Sequence, residues 1–518
     1  MARRFKKNRI SRLPKKDRAD VLLVYPVWVK KQGRGKLQRM LPPLGVLSLA
    51  SYLEQNGFEV HVVDLHAEEM GPERFREIVR SLKPRLVGIT VLSAHFVPAN
   101  YVAKICKEEV LDVKVCVGGV HAEARPEEML RNPFIDAVGR GDGEEIMLEF
   151  AKGVAFEKIE GLSYRAHGRV VHNQSRAVNM DLDRYPLPAY HLIDFDHYFP
   201  PAGTYKDLPA MNVLMTRGCP GKCTFCNSAN TVLRRRSVAK MIELIKLLRY
   251  DYGIRHIYFY DDTFTANPKI VEDFCKQMIA EHVDVKWTCY VRGDMFREPI
   301  AELMASAGCR HVMLGVESGS STLMAKIGKP IQKDKYRAAV QIARKFGIET
   351  RGSFIIGHRE ETRQTMNETV DFAIEMDLDF FQLNIMTPYP GTQLFNEAKN
   401  EGLLVHENYT RYGQNEVVLK LEHLSADEVV GFEKKAFYKF YLRPRAIWWQ
   451  IKRLSNFAQV KDLVKAAYII LIEGLGRSTN DIAHLQEWLD IDLEAFADKS
   501  ITLPKTQPRL TWEVRQAL

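Results

Sequence analysis

The stretch that most constrains this chain is Val213 to Ser228, VLMTRGCPGKCTFCNS. The apolar run Val213 to Met215 predicts a strand that breaks at Arg217-Gly218. Cys219, Cys223 and Cys226 follow at C-x3-C-x2-C spacing, and Pro220 and Gly221 bend the loop between them. Thiolates this close can converge on one iron–sulfur cluster, for which cysteine is the usual ligand. The next cysteine along the chain is Cys275. A four-iron cluster held here would therefore keep one iron open, as catalytic metal sites generally do. Buried core cysteines do not account for three thiols in eight residues of a Gly/Pro loop. Zinc would need a fourth ligand, and no close residue supplies one.

This loop resembles the signature of the radical S-adenosylmethionine (SAM) enzymes, with Phe225 as the aromatic before the third cysteine. The resemblance implies that the open iron binds the amino and carboxylate groups of SAM. One electron then cleaves the sulfonium to give a 5′-deoxyadenosyl radical. The cofactor carries the chemistry, and the protein positions it and excludes water.

A chain of 518 residues has material for more than one core. Eight cysteines, three in one loop and five scattered, do not form a disulfide framework, which points to a reducing compartment. With no secretory signal before Val21 and no apolar stretch of membrane-spanning length, the expected location is cytoplasmic. Met1 to Arg18 holds nine Lys/Arg against Asp17, so it carries +8 of the net +9. The remaining body is near neutral, and no nucleic-acid partner is expected. The arm reads as a solvated tail, with weak membrane contact as its minority reading.

From Val21 onward strands and helices alternate. Strands are predicted at Val21 to Tyr25, Phe58 to Val63, Leu86 to Val91 and Val113 to Val117, and helices at Leu44 to Gln55, Glu73 to Leu82 and Pro98 to Glu109. That alternation predicts a doubly wound parallel sheet, which binds ligands at the carboxyl ends of its strands. Four stretches resemble the cobalamin-binding domain that precedes the radical SAM domain in one subfamily: PPLGVLSLASYL (Pro42 to Leu53), VLSAH (Val91 to His95), VGGVHA (Val117 to Ala122) and GRGDGEE (Gly139 to Glu145). The resemblance implies cobalamin contacts from Leu44, Gly45, Ser93, Ala94, Gly118, Gly119, Val120, His121, Gly141, Gly143 and Glu144. One departure stands out. The loop after the first strand, PVWVKKQGRGKLQRM, lacks the histidine of the D-x-H-x-x-G ligand motif. His66 follows the second strand and reads as an ordinary loop histidine, so no protein imidazole is expected below the cobalt. For His95 and His121, hydrogen bonding in a loop is favoured over cobalt ligation.

Glu157 to Pro209 is polar and irregular, with short strands at Ile159 to Tyr164 and Arg169 to His172 and then a crossing linker. Six strand–helix repeats follow. The strands are Asn212 to Thr216, His256 to Tyr260, Val285 to Val291, His311 to Val316, Gly352 to Ile356 and Phe380 to Met386. They predict a partial (β/α)6 barrel with its functional groups at the carboxyl ends of the strands. By resemblance, SAM is contacted by Phe225, Tyr260, Asp261, Arg292, Glu317, Ile356 and Gly357. Asp261 stands where the superfamily has a glycine-glycine-glutamate element, although the glycines are missing here.

Leu424 to Leu518 reads as mostly helical, and the aromatics Phe432 to Tyr441 read as core or as a wall for the open side of the barrel. No cysteine follows Cys309, which excludes an auxiliary cluster in the tail. The expected fold is α/β: a basic arm (1–18), a Rossmann-like cobalamin-binding domain (19–155), a linker (156–208), a radical SAM barrel (209–403) and a helical region (404–518). The implied activity is methylation of an unactivated carbon, or sometimes phosphorus, on a small-molecule or lipid substrate. The implied cofactors are a 4Fe-4S cluster, SAM and cobalamin, with flavodoxin or ferredoxin as reductant. The alternatives are oxidative cyclisation, as in the anaerobic cyclase of bacteriochlorophyll synthesis, and a non-catalytic cobalamin sensor. The FYLRPR segment (Phe440 to Arg445) resembles the cyclase group.

Overall fold

The apolar run VLLVY forms β1 (Val21–Tyr25), buried on both faces as a central parallel strand requires. In this computed structural model the described residues are 14, 17–27, 41–200, 205–330, 332–413, 416–452 and 460. Most of residues 1–18, residues 28–40 and nearly all residues beyond 452, including much of the expected helical region, lie outside them. Of the arm, Arg18 is described; it pairs with Asp112 at 2.7 Å.

After β1 come α1 (Leu44–Gln55), β2 (Val60–Asp64), α2 (Pro72–Leu82), β3 (Leu86–Thr90), α3 (Phe96–Glu109) and β4 (Lys114–Gly118). Helix α3 starts before its predicted Pro98, because proline is tolerated in a first turn. Two short helices, α4 (Val120–Ala124) and α5 (Pro126–Met129), lead to β5 (Ala137–Gly139), α6 (Gly143–Ala151), β6 (Leu162–Ala166) and β7 (Arg169–His172). These strands make one seven-stranded sheet in the order β2-β1-β3-β4-β5-β6-β7. Strand β6 pairs antiparallel with β5, and β7 pairs antiparallel with β6. A domain boundary after residue 155 would therefore cut this sheet; its last strand ends at His172. The reason lies in pairing: β5 exposes a free ladder edge, and β6 covers it.

The segment that follows is a strap rather than a loose linker. Tyr185, Tyr190 and Tyr198 are buried along it. Tyr185 packs edge-on against Tyr52 of α1, and the Tyr198 hydroxyl donates to Asp64 at 3.0 Å.

The barrel begins with β8 (Ala210–Val213), followed by the paired short strands β9 (Thr216–Arg217) and β10 (Arg234–Arg235). Then come α7 (Val238–Lys246), β11 (His256–Phe259), α8 (Pro268–Ala280), β12 (Lys286–Val291), α9 (Glu298–Ser306) and β13 (Cys309–Glu317). The series continues through α10 (Ser321–Lys326), α11 (Lys333–Lys345), β14 (Glu349–Ile356), α12 (Arg363–Glu375), β15 (Phe380–Ile385) and α13 (Gln393–Asn400). The six long strands are all parallel, in the order β15-β14-β13-β12-β11-β8. This is the partial barrel expected from the strand–helix repeat. Its outer face carries the aromatic core of Phe259, Phe264, Phe274 and Trp287.

A partial barrel leaves two strand edges open. At one edge the Tyr190 hydroxyl donates to the Asn212 carbonyl of β8 at 2.6 Å. At the other, the Tyr441 hydroxyl donates to the Phe381 carbonyl of β15 and accepts from the Phe381 amide, both at 2.9 Å. Tyr441 ends α14 (Ala426–Tyr441), which precedes α15 (Pro444–Lys452). Phe440 stacks on Phe381 with centroids 5.0 Å apart, so the aromatic stripe is core that seals an edge. No helix among the described residues is long and apolar enough to cross a membrane.

Candidate functional site

The cysteine loop hangs between β9 and β10, whose pairing of Arg217 with Arg234 and Thr216 with Arg235 closes its base. The predicted strand to Thr216 is interrupted after Val213 for a reason visible in Asp261. That carboxylate accepts from the Met215 amide (3.2 Å), the Thr216 amide (2.6 Å) and the Thr216 hydroxyl (2.6 Å). The loop is pinned from outside as well. The Thr224 amide donates to the Ile327 carbonyl, and the Leu394 amide donates to the Thr224 carbonyl. At Gly328 a Cβ would come within 2.2 Å of the Lys222 carbonyl oxygen, so only glycine admits the loop there.

All three loop thiols are free and only partly buried, whereas Cys106, Cys116, Cys275, Cys289 and Cys309 are buried. Burial pushes the Cys223 and Cys226 thiols up. Charged groups ring them. The Arg292 guanidinium, beside Gly221, forms a two-pronged pair with Asp294 at 3.1 and 3.0 Å. The Glu317 carboxylate accepts from Lys329 at 2.7 Å, and both side chains are about nine-tenths buried. Glu317 holds a left-handed backbone (φ 67°) where β13 loses register with β14. A non-glycine residue in that region costs on the order of 1–3 kcal/mol, and the pairing with Lys329 offsets it.

The roles expected of single residues separate at this point. Asp261 is fully buried and committed to the loop base, and burial pushes its carboxyl up to about 6. Its neighbour Asp262 is the solvent-facing carboxylate; it accepts from Ser228, and desolvation raises it. Ile356 sits in the core behind the sheet, and Gly357 (φ 82°) packs on Ile385 and Val429, so this pair offers backbone to the mouth. Phe225 packs partly buried against the main core. Tyr260, 39% exposed, stands edge-on to Tyr258 at 4.9 Å.

In the first sheet, a cavity of about 240 Å³ lies between the strands and helices α1 and α6. Leu44, Gly45, Gly118, Gly119, Gly141, Gly143 and Glu144 line it, together with Gly88 and Ser48. A Cβ on Gly88 would come within 2.7 Å of Leu23, and Gly119 has φ 96° with the Val91 carbonyl 3.1 Å from a Cβ. Ser93, Ala94, Val120 and His121 do not line this cavity. Val120 is exposed at the start of α4, and His121 is buried against Phe96 and Tyr409 with Nδ1 3.1 Å from the Ser93 hydroxyl. Burial lowers both His95 and His121 to about 3, so both are neutral at ordinary pH.

Arg217 joins the two regions. Its guanidinium donates to Glu144 at 2.6 Å and to Asp142 at 3.4 Å and lies over the Tyr185 ring. Burial alone would lower it, but Glu144 and Asp142 hold it above its ordinary value. Arg234 also pairs with Asp142. The residue two positions before Cys219 thus forms part of the cavity wall.

Comparisons with known proteins agree with this geometry. Residues 213–373 match the Radical SAM superfamily, and residues 33–151 match the B12 binding domain. The uncharacterized methyltransferase PH0819 of Pyrococcus horikoshii is 37% identical over 414 residues, which is 78% of this chain and 89% of that protein. The chain belongs to the cobalamin-dependent radical SAM methyltransferase family. The anaerobic magnesium-protoporphyrin IX monomethyl ester cyclase of Rubrivivax gelatinosus is 25% identical over 489 residues, covering 90% of this chain and 85% of the cyclase. The solved methyltransferase TsrM from Kitasatospora setae shares the fold, with TM-score 0.62 at 21% identity over 81% of this chain and 85% of TsrM.

The family's cofactors are a 4Fe-4S cluster, SAM and cobalamin, and the residues present fit them. Three accessible thiols on one pinned loop suit a cluster. Among the described residues no three His, Cys, Asp or Glu side chains gather closely enough for a single metal ion. A cavity walled by glycines, with little room for a Cβ at Gly88 and a positive φ at Gly119, suits close backbone approach to a flat ligand. Sequence reasoning counted Asp262 among the strand-end charges but placed the SAM contact on Asp261, and it missed Lys329, Arg217 and the charge pairing around them. A lysine after a Gly in a helix-ending loop carries no local signal of its own.

Proposed function

We propose that this enzyme transfers a methyl group to an unactivated carbon or phosphorus of a small molecule held inside the barrel. One observation carries the reading: Arg217 ties the glycine-walled cavity of the sheet to the base of the cysteine loop, so the two cofactor regions share a wall. Bound together, the three cofactors supply an electron relay, a hydrogen-abstracting radical and a methyl donor. The chain's own residues hold and orient them. Cys219, Cys223 and Cys226 ligate the cluster. Asp262 takes over from Asp261 as the carboxylate offered to the SAM amino group. Arg292 and the Glu317–Lys329 pair face the carboxylate and ribose, Tyr260 and Phe225 flank the nucleoside, and the Gly357 backbone meets its base. A cavity of about 240 Å³ is below the roughly 300–1,000 Å³ of ordinary ligand pockets. Its lining residues would hold the tail of cobalamin, and Ser93, Ala94 and Val120 would contact the rest of the cofactor. An external one-electron carrier such as flavodoxin or ferredoxin serves as reductant.

The test is turnover with SAM labelled in its methyl group, using extracts of acidic and neutral small molecules as substrate source. Label recovered in a new product supports methyl transfer. An oxidised or cyclised product without label would assign the enzyme to cyclase-type chemistry, a reading favoured by the 90% coverage against the Rubrivivax cyclase.

A further inference from the structure

The barrel has an inner face that no cofactor role uses. Along β14 the burial alternates, with Phe354 and Ile356 in the outer core and Arg351 and Ser353 less buried between them and the strand start. In register, Arg351 lies beside Met313 of β13 and Phe380 of β15, and Met313 lies beside Tyr290 of β12. Leu41, Tyr258, Met313 and Tyr290 form a small separate apolar cluster on this inner side. Gln382 and Asn384 of β15 are joined at 3.2 Å, level with Ser353 and Ile355.

The ionised groups nearest this lumen are matched with a partner. Arg292 has Asp294, Lys329 has Glu317, and Lys206 has Glu349. Arg351 differs. It forms no ion pair or side-chain hydrogen bond among the described residues, and its Nε is buried without a partner. Its charge reaches the phenols of Tyr258 and Tyr260, where it opposes the upward push of burial. A guanidinium that is partly withdrawn from water and left unpaired is costly, and such a charge is retained where a ligand completes it. The planar fork of arginine matches a carboxylate or phosphate with two parallel hydrogen bonds.

We propose that Arg351 is the substrate-recognition residue of the barrel and that its ligand bears a carboxylate or phosphate on an apolar or aromatic body. The anionic group sits at Arg351, and the body lies along Tyr258, Tyr290 and Met313. Arg351 precedes the strand end at Gly357, so the anion is held deeper in the barrel than SAM. The inference rests on the barrel being the substrate chamber, as in the proposed function.

The experiment uses the full chain, reconstituted anaerobically with cluster, SAM and cobalamin. Phenyl phosphate, phenylacetate and the neutral benzyl alcohol are the probes, and equilibrium dialysis is the readout. Wild type is expected to bind at least one anionic probe and not benzyl alcohol, and the preferred anion identifies the head group. Losing a charge-assisted pair should weaken that probe about 10-fold or more in Arg351→Gln, with part of the affinity kept in Arg351→Lys. SAM affinity should stay within about two-fold in both variants, which also reports that they fold. Equal probe affinity in wild type and Arg351→Gln would overturn the assignment. So would absence of anion binding by wild type, or loss of SAM affinity in parallel with the probe. Failure of the methyl-transfer reading is seen separately, as wild type that binds the anion but transfers no methyl label.

Discussion

The two cofactor regions are built from opposite materials. The cavity of the seven-stranded sheet is walled largely by glycines and aliphatic groups, and its two acidic neighbours, Asp142 and Glu144, are neutralised by Arg217 and Arg234. The mouth of the barrel is built from thiols and ions: three cysteines, Asp262, Arg292 with Asp294, and Glu317 with Lys329. On the proposed reading, one region recognises its ligand by shape and close backbone approach, the other by ligation and charge. Substitutions should therefore act differently in the two places. Volume should matter in the sheet and chemistry in the barrel, and only the Arg217 clamp should affect both.

The largest expected effect is at the loop. Replacing Cys219, Cys223 and Cys226 together by alanine should abolish cluster absorbance and SAM cleavage while cobalamin remains bound. Cobalamin lost in equal measure would break the separation between the regions.

In the sheet, Gly45 lines the cavity and has no atom within 4 Å of the place a Cβ would take. Gly45→Leu should therefore fold normally, gaining up to about 1 kcal/mol from helix propensity. It should also weaken cobalamin binding about 10-fold or more by filling the site, a loss comparable to a one- to two-kcal/mol overpacking cost. SAM cleavage without cobalamin should be unchanged. Undiminished cobalamin retention would show that the ligand does not enter this cavity.

The clamp comes next. Arg217→Gln leaves the buried Glu144 without its cation while Asp142 keeps Arg234, and breaking such a buried pair costs about 3–5 kcal/mol. Adding Glu144→Gln should recover a substantial part of that loss in a double-mutant cycle of thermal unfolding. Additive losses would mean that the contact contributes nothing of its own.

A pH-dependent effect is confined to the sheet side. Burial pushes the Asp64 carboxyl from 3.8 to about 6, against the hydrogen bonds from Ala67, Tyr198 and His66. The folded state thus holds a proton that the unfolded state releases earlier. The stability this brings is complete below about 3.8 and is lost as pH rises through about 6. The stability difference between wild type and Asp64→Asn should shift against wild type by up to about 3 kcal/mol across that window. A flat difference would contradict the buried, protonated carboxyl.

Much of the fold was legible in the sequence because period and punctuation are local. Val21–Tyr25 and Leu44–Gln55 stand where the pattern puts them, since an apolar run and the Asn56-Gly57 stop define their ends. Elements set by distant partners were not legible. Nothing near Leu162 says that β6 will pair with β5, and nothing near Thr216 says that Asp261 will take its amide from the ladder. The same holds for Tyr190 and Tyr441, whose hydroxyls close the two barrel edges from segments before and after the barrel. In the site, the sequence offered the candidate residues in order, but which of two adjacent aspartates faces outward depends on side-chain direction at the end of β11.

The central claim is that a shape-built region and a charge-built region act on one substrate. It is tested most directly by counting the two SAM-derived products during turnover, with and without cobalamin. The account predicts S-adenosylhomocysteine and 5′-deoxyadenosine in comparable amounts from the complete enzyme. Cobalamin-depleted protein should give slow 5′-deoxyadenosine alone and no methylated product. Deoxyadenosine and an oxidised product from the complete enzyme, without S-adenosylhomocysteine, would contradict it.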